Sequence, residues 1–94
     1  MFILDITYTA PIEVIDGLLA DHIAWLEQGR ADGMFMAWGR KVPRDGGLVY
    51  ATGTRETVEA AAQRDPFVAN GAASVRVIEF VPSYADAGLE GLSR

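Results

Sequence analysis

His22 and Asp65 carry the side chains best suited to acid–base chemistry. His22 is the single histidine of the chain, and imidazole exchanges a proton near neutral pH. It falls on one apolar helical stripe with Leu18, Leu19 and Leu26. This position predicts partial burial, which suits either a core histidine bonded to a backbone carbonyl or a general acid or base.

Asp65 occupies an unfavourable place for a carboxylate. It is predicted to end the second helix, where the macrodipole is negative and aspartate is a poor helix former. A nearby cation would compensate, and His22 on the neighbouring helix could reach it. A carboxylate bonded to one imidazole nitrogen fixes the tautomer and raises the basicity of the ring. The alternative is a turn, because Asp65 precedes Pro66 and can bond the backbone two residues on.

Other chemistries have weaker signals. The chain has no cysteine, and one histidine with scattered carboxylates does not form a three-ligand zinc site. No glycine-rich phosphate loop leads from a strand into a helix, and no serine lies in a nucleophile elbow. Glu79 interrupts an apolar strand and is predicted to form an ion pair, with Arg76 as a candidate partner. We therefore expect neither a metal nor a cofactor.

The segments that must position these residues alternate between two periodicities. Apolar alternation with a period of two predicts strands over residues 2–9, 34–38, 48–52 and 74–81. A helical pattern covers residues 12–32, with Gly17 marking a break and Asp16 capping the longer part. Thr54 caps a second helix, which ends before Pro66.

The order β-α-β-β-α-β predicts an α+β domain of the ferredoxin-like type. Right-handed crossovers place both helices on one face of a four-stranded antiparallel sheet. Apolar side chains nevertheless occupy both faces. The second strand carries Met34, Met36 and Trp38 on one side and Phe35 and Ala37 on the other. Since a soluble monomer rarely exposes an apolar sheet face, we expect a homodimer in which two sheets pack together.

Length and charge restrict the class of protein further. The 94 residues fit one domain, placed at residues 1–82, followed by a C-terminal tail at residues 83–94. A formal net charge of -5 argues against nucleic-acid binding, because the basic residues of segment 40–44 suit an ordinary solvated loop. No apolar run approaches the ~20 residues of a membrane span, and the N-terminus lacks a signal-peptide pattern. We expect a cytoplasmic protein.

Several short motifs resemble the YCII-related family over residues 2–82. They are the Tyr8-Thr9 step, His22 followed by Trp25-Leu26, Gly33, Gly39, Asp65-Pro66-Phe67 and Asn70-Gly71. The resemblance implies a ferredoxin-like domain that dimerises as an α+β barrel through its sheets. It also implies that His22 and Asp65 occupy the positions of that family's proposed active-site pair. Some relatives look like small-ring enzymes related to muconolactone isomerases and to dehydrochlorinases of chlorinated aromatics, whereas many have no assigned activity.

One departure from the family pattern concerns the substrate pocket. Relatives often carry a small or polar residue before the glycine that follows the second strand, and a proline after it. This chain has Trp38, Gly39 and Arg40. Trp38 either packs in the core or at the dimer interface, or forms a pocket wall that stacks on a flat ligand. Arg40 is either surface or a contact for a ligand carboxylate, and Phe67 would complete the pocket.

Three functional hypotheses follow. The first is a cofactor-free lyase or isomerase of a small, cyclic, anionic metabolite, in which His22 moves a proton next to a carbonyl and Asp65 orients the imidazole. The second is a non-catalytic dimeric module for ligand binding or an accessory role, in which the same two residues make a structural contact. The third is an interaction module that uses residues 83–94. A polar cavity open to solvent at His22 would favour the first hypothesis over the second.

Overall fold

A computed structural model describes residues 1–88 and contains the predicted order of elements. The elements are β1 (Phe2–Tyr8), α1 (Ile12–Ala31), β2 (Phe35–Arg40), β3 (Gly46–Ala51), α2 (Arg55–Gln63), α3 (Pro66–Ala69) and β4 (Ala73–Glu79). Residues 83–88 of the predicted tail form neither a helix nor a strand, and residues 89–94 lie outside the described residues. The domain boundary at residue 82 stays a prediction.

The four strands form one antiparallel sheet in the order β2-β3-β1-β4. Each β-α-β connection crosses over one intervening strand, β3 for α1 and β1 for α2. The buried residues of both helices join one core with those of the sheet, so the helices cover the same face. This arrangement confirms the predicted ferredoxin-like α+β fold.

The core lies between the helices and the sheet and follows the alternation of β1. Leu4 and Ile6 point toward the helices and are buried, whereas Asp5 between them faces outward. On the helix side, Val58 of α2 is fully buried. The side chain of Thr54 accepts a hydrogen bond from a backbone N–H of α2, which is the predicted N-cap.

The first helix, α1, runs through Gly17 without a break, so the predicted interruption is wrong. The helix begins after Pro11, and a Cβ at Gly17 would meet nothing within 4 Å. Asp16 does not cap a helix but accepts a hydrogen bond from Arg44 at 2.7 Å. Packing of a 20-residue helix outweighs the weak local preference of one glycine. Among residues 1–88, neither α1 nor a shorter helix combines the length and hydropathy of a membrane span.

Pro66 begins a helix, whereas the sequence predicts only that a helix ends before it. The second helix, α2, stops at Gln63, and Pro66 takes the first position of the four-residue α3, where no N–H donor is needed. Asp65 is the N-cap of α3 and accepts a hydrogen bond from the backbone N–H of Phe67 at 3.1 Å. Its carboxylate therefore lies at a helix start, which favours negative charge, and not at a helix end.

A β-bulge in β2 changes which side chains face the helices. Phe35 and Ala37 pair with consecutive residues of β3, which leaves Met36 as an extra residue. Trp38 and Arg40 then lie on the helix face of the sheet, as Phe35 does. The predicted alternation, with Trp38 opposite Phe35, is wrong because the bulge shifts the pattern by one residue.

The two faces of β4 explain the ion pair of Glu79. Glu79 pairs across the sheet with Phe2 on the helix face, whereas Arg76 pairs with Asp5 on the outer face. The predicted contact between Glu79 and Arg76 is therefore wrong. Glu79 instead lies 3.1 Å from the guanidinium of Arg55 at the start of α2.

Candidate functional site

His22 on α1 and Asp65 before α3 are in direct contact. Nδ1 of His22 lies 2.7 Å from Oδ1 of Asp65, a distance typical of a charge-assisted hydrogen bond. The side chain of Asp65 is 0% exposed and that of His22 is 13% exposed. The carboxylate therefore lies on the inside of the pair, and the imidazole lies toward solvent.

Asp65 is held in place by the start of α3. Its Oδ1 accepts hydrogen bonds from both Nδ1 of His22 and the backbone N–H of Phe67. Among residues 1–88, its second oxygen, Oδ2, is buried and has no hydrogen-bond partner. A buried carboxylate needs compensating charge or hydrogen bonds. The imidazole is the group placed to provide that compensation.

The contact fixes the tautomer of His22. An ionised carboxylate only accepts hydrogen bonds, so Nδ1 carries the hydrogen between the two groups. In the neutral imidazole, Nε2 then has a lone pair. Within the described residues Nε2 makes no hydrogen bond, and it is not among the buried atoms that lack a partner. Nε2 is therefore accessible to solvent, and His22 lines a cavity.

Aromatic rings restrict the orientation of the imidazole. The ring of Phe67 stacks on that of His22 with a centroid distance of 4.0 Å and an interplanar angle of 12°. Trp25 lies 5.5 Å from His22, and its Nε1 donates a hydrogen bond to the carbonyl of Ala61 on α2. Tyr8 contacts Phe67 edge-on at 5.7 Å. These contacts position the imidazole from α1, α2, α3 and β1 together.

A cavity of about 180 Å³ opens beside His22, between the helices and the sheet. The apolar side chains on its wall include Ile6, Leu19, Ile23 and Leu26. The structure also brings every residue predicted for the pocket to this wall, namely Trp38, Gly39, Arg40 and Phe67. Their role in binding a substrate stays a prediction, as does catalysis by His22 and Asp65.

Two adjacent glycines of β3 border the cavity. Gly47 lies on the helix face of β3, as do Val49 and Ala51 further along the strand. Val49 and Ala51 fill the core with their side chains, whereas Gly47 has none. At Gly46 a Cβ would overlap the carbonyl oxygen of Ile6, so only glycine lets β3 approach β1 this closely. The cavity therefore lies where β3 has no side chain to insert.

The loop between β2 and β3 is anchored at two points. Arg44 donates a hydrogen bond to Asp16 of α1, and this bond raises the pKa of Arg44. Lys41 lies 2.5 Å from a carboxylate oxygen of Asp5 on β1. Both contacts hold the loop that follows Arg40 against the rest of the domain.

Several features of this cavity are absent from the predictions made from the sequence. The alternation of β1 places Tyr8 on the same face as Leu4, so the pattern could have indicated that Tyr8 lines the cavity. No local signal marks Gly46 and Gly47 as cavity residues, because their role depends on pairing with β1.

Among residues 1–88, no three histidine, aspartate or glutamate side chains are arranged to hold a metal ion.

A second cavity, of about 340 Å³, lies on the outer face of the sheet. Its wall includes Met1, Tyr50, Phe80 and Tyr84. It is larger than the cavity at His22 but has no histidine on its wall, and Tyr84 bonds Asp86 beside it. The smaller cavity is therefore the candidate site.

The fold and the site define a ferredoxin-like α+β domain with a histidine–carboxylate pair between its helices and its sheet. The sequence-family model for the YCII-related domain matches residues 1–81. The chain therefore belongs to the YCII-related family, which its motifs resemble. No curated protein sequence matches the chain.

Among solved structures, the chain is similar to 5-chloro-2-hydroxyhydroquinone dehydrochlorinase from Burkholderia phenoliruptrix, in a complex with 2,5-dihydroxybenzoquinone. The two chains share 19% sequence identity and superpose with a TM-score of 0.69, which covers 85% of this chain and 93% of the other. At this level of identity, the likeness establishes a shared fold.

Proposed function

We propose that this protein transfers a proton at a carbon atom of a small cyclic metabolite, as a lyase or isomerase without a cofactor. The observation that carries the proposal is the position of His22. One ring nitrogen bonds a buried carboxylate, the other makes no hydrogen bond to the described residues, and the ring borders a cavity. Such an arrangement orients a general base and stabilises its charged form.

The size of the cavity limits the substrate. About 180 Å³ is slightly more than the ~150 Å³ of an apolar protein cavity that holds one benzene. It is well below the roughly 300 Å³ at which pockets for drug-sized ligands begin. The expected substrate is therefore a single ring with a few substituents.

His22 would act first as a base. Nε2 takes a proton from a carbon next to a carbonyl, and the electron pair moves onto the carbonyl oxygen to form an enolate. Asp65, 2.7 Å from Nδ1, stabilises the imidazolium. The enolate then either expels a leaving group from the adjacent carbon, as in a lyase, or regains the proton at another carbon, as in an isomerase.

The similar dehydrochlorinase supports this reaction class by analogy. Its name refers to a hydroxylated chloroaromatic ring, and its structure contains 2,5-dihydroxybenzoquinone. Both compounds are single six-membered rings with small substituents, which is the size that the cavity of this protein accommodates. Such rings are therefore the first compounds to test.

Exchange of C–H for C–D tests the proposal without knowledge of the full reaction. The protein is incubated in D₂O with 2,5-dihydroxybenzoquinone, chlorinated hydroquinones or unsaturated lactones, and ring protons are followed by NMR. We expect exchange with at least one of these rings. His22→Gln should slow it by about 10²–10⁴-fold, the usual contribution of a general base. Asp65→Asn should slow it less, because the imidazole keeps an acceptor but loses its counter-charge.

Asp32→Asn is the matched control for Asp65→Asn. Asp32 is an exposed carboxylate at the end of α1 whose side chain bonds Gln28. The substitution removes the same charge outside the cavity and should leave the exchange rate unchanged. Equal exchange rates in the wild type and in His22→Gln would refute the proposal.

Non-catalytic ligand binding is the second candidate function. One observation favours it: Oδ1 of Asp65 also caps α3, and Phe67 stacks on His22, so the pair ties α1 to α3. In that case no ring compound exchanges in the wild type, while His22→Gln lowers the Tm. Because the contact stabilises the domain in either case, the exchange rate of the wild type separates the two functions, and the Tm measures the structural role of the pair.

We also propose that the outer face of the sheet pairs with a second copy of the chain. Leu48 and Tyr50 of β3 are exposed there at 40% and 37%, with Phe80 nearby. Light scattering should find a dimer that Leu48→Glu converts to monomers. Val42→Glu, on an exposed loop, should leave the dimer intact. A wild-type monomer at micromolar concentration would contradict this assembly.

A further inference from the structure

Arg40 is a cation at the cavity for which residues 1–88 provide no ion-pair partner. Its neighbours Lys41 and Arg44 both pair with carboxylates, at 2.5 Å and 2.7 Å. The chain has 13 acidic residues against 8 basic ones, so carboxylates are in excess. Within the described residues, the cavity wall nevertheless includes neither aspartate nor glutamate. In these surroundings a ligand anion is the natural partner of Arg40.

Arg40 faces the cavity because of the bulge in β2. Without the extra residue at Met36, Trp38 and Arg40 would point to the outer face of the sheet. With the bulge, Arg40 lies opposite Gly47, whose missing side chain leaves space on the helix face. The guanidinium can therefore extend along the cavity wall.

The charge of the His22–Asp65 pair disfavours an anionic ligand unless a cation compensates it. While the imidazole is neutral, the pair carries the single negative charge of the buried carboxylate. This charge repels an anionic ligand, and burial strengthens the repulsion because the local dielectric is low. Arg40 supplies the compensating positive charge on the same cavity.

Trp38 extends the recognition surface. It precedes Arg40 by two residues on the same face of β2, and such residues are roughly 6.5 Å apart along a strand. Its side chain is 38% exposed, and among residues 1–88 it makes no aromatic pair. The indole can therefore stack on a flat ring, while the planar guanidinium binds a carboxylate through two parallel hydrogen bonds.

We propose that the cavity binds ring carboxylic acids, with a flat ring against Trp38 and its carboxylate on Arg40. The inference deepens the proposed function and rests on it only for the reacting carbon at Nε2 of His22. The carboxylate contact itself requires no turnover. Arg40 is thus a specificity-determining residue of the site.

Benzoate and benzamide are suitable probes, because they have the same shape and differ in charge. Binding to the full chain is measured by NMR titration, with the indole N–H of Trp38 and the ring protons of His22 as reporters. We expect benzoate to bind the wild type about tenfold to hundredfold more tightly than benzamide, the usual range for hydrogen bonds to a charged group. Arg40→Gln should remove that preference and leave benzamide binding unchanged.

Arg30→Gln is the matched control. Arg30 lies in the last turn of α1 and pairs with Glu27 on the surface. The substitution removes the same charge outside the cavity, so the preference for benzoate should persist. Benzamide binding, which does not require Arg40, confirms that each variant is folded.

Three results would overturn the inference: equal affinities of both probes for the wild type, an undiminished preference in Arg40→Gln, or no benzoate-induced shift at Trp38.

His22→Gln distinguishes this inference from the proposed function, because it should keep the benzoate preference while it loses C–H exchange. A wild type that exchanges C–H without preferring benzoate disproves only the carboxylate contact. A wild type that prefers benzoate without C–H exchange disproves only the proton transfer.

Discussion

The layer between the helices and the sheet has two unlike ends. At the closed end, Phe2 and Leu4 of β1 are buried in one core with Val58 of α2. At the open end, Ile6 and Tyr8 of the same strand border the cavity of about 180 Å³. One alternating strand thus contributes to a filled core and to a cavity. The difference arises on the neighbouring strand, which carries side chains at one end and glycines at the other.

This difference separates the packed core from the proposed binding site. Apolar burial at the closed end stabilises the domain by roughly 25 cal/mol for each Å² removed from water. The open end gives up part of that area and instead presents Trp38, Arg40 and His22 to solvent. Departures from good packing are expected where a protein binds or reacts.

Leu4→Ala should have the largest effect on stability. Leu4 is 0% exposed, and the cavity left by its side chain should lower the free energy of unfolding by about 2–5 kcal/mol. Trp38→Ala removes a larger side chain but should cost only about 1 kcal/mol, because Trp38 already borders solvent. Chemical denaturation measures both losses. Equal losses would mean that the two ends are packed alike.

Alanine substitutions at two glycines of the open end should also differ strongly in their effect on the free energy of unfolding. Gly46→Ala should cost about 3 kcal/mol, because the new Cβ would overlap the carbonyl of Ile6 and separate β3 from β1. Gly39→Ala should lie within about 0.5 kcal/mol of the wild type, since its Cβ would meet nothing within 4 Å. Both glycines border the cavity, so each is the control for the other. A mild Gly46→Ala would indicate that the strands can part there at little cost.

Asp65→Ala should have an intermediate effect. It removes the cap of α3 and leaves Nδ1 of His22 without its acceptor, which together should cost about 2 kcal/mol of unfolding free energy. Asp65→Asn keeps an oxygen for both donors and should cost about half as much. Denaturation of the two variants tests this order. Equal costs would show that the negative charge, and not the acceptor, stabilises the site.

The smallest expected effect is a change in which ring nitrogen of His22 carries the hydrogen. In mildly alkaline buffer, ¹⁵N NMR should find the hydrogen on Nδ1, because the Asp65 carboxylate accepts it. In Asp65→Asn, both tautomers should appear, since an amide can also donate. A wild-type ring with its hydrogen on Nε2 would rule out the proposed base.

Local sequence patterns were sufficient to predict the fold. The alternation of β1, the helical stripe of α1 and the Thr54 cap depend on residues close together in the chain. The bulge at Met36 could not be predicted in this way, because it is defined by the pairing of β2 with β3. The continuous helix through Gly17 likewise depends on packing with other elements.

The candidate site was predicted in part, and for a partly wrong reason. The contact between His22 and Asp65 was expected because a carboxylate at a helix end would need a cation. The structure contains the contact, but Asp65 lies at the start of α3, where Pro66 places it. The residues Trp38 and Arg40 were named from the sequence, yet their common orientation depends on the bulge. Pairing between distant strands is not encoded in the spacing of neighbouring residues.

The shared acceptor atom of Asp65 has a consequence for how this domain can diversify. Oδ1 accepts hydrogen bonds from the imidazole and from the first turn of α3, so a change at Asp65 that alters the imidazole also loosens the helix. Trp38 and Arg40 of β2 line the cavity and do not depend on that atom. We therefore expect the cavity residues of β2 to vary among related domains, while the contact between His22 and Asp65 stays fixed.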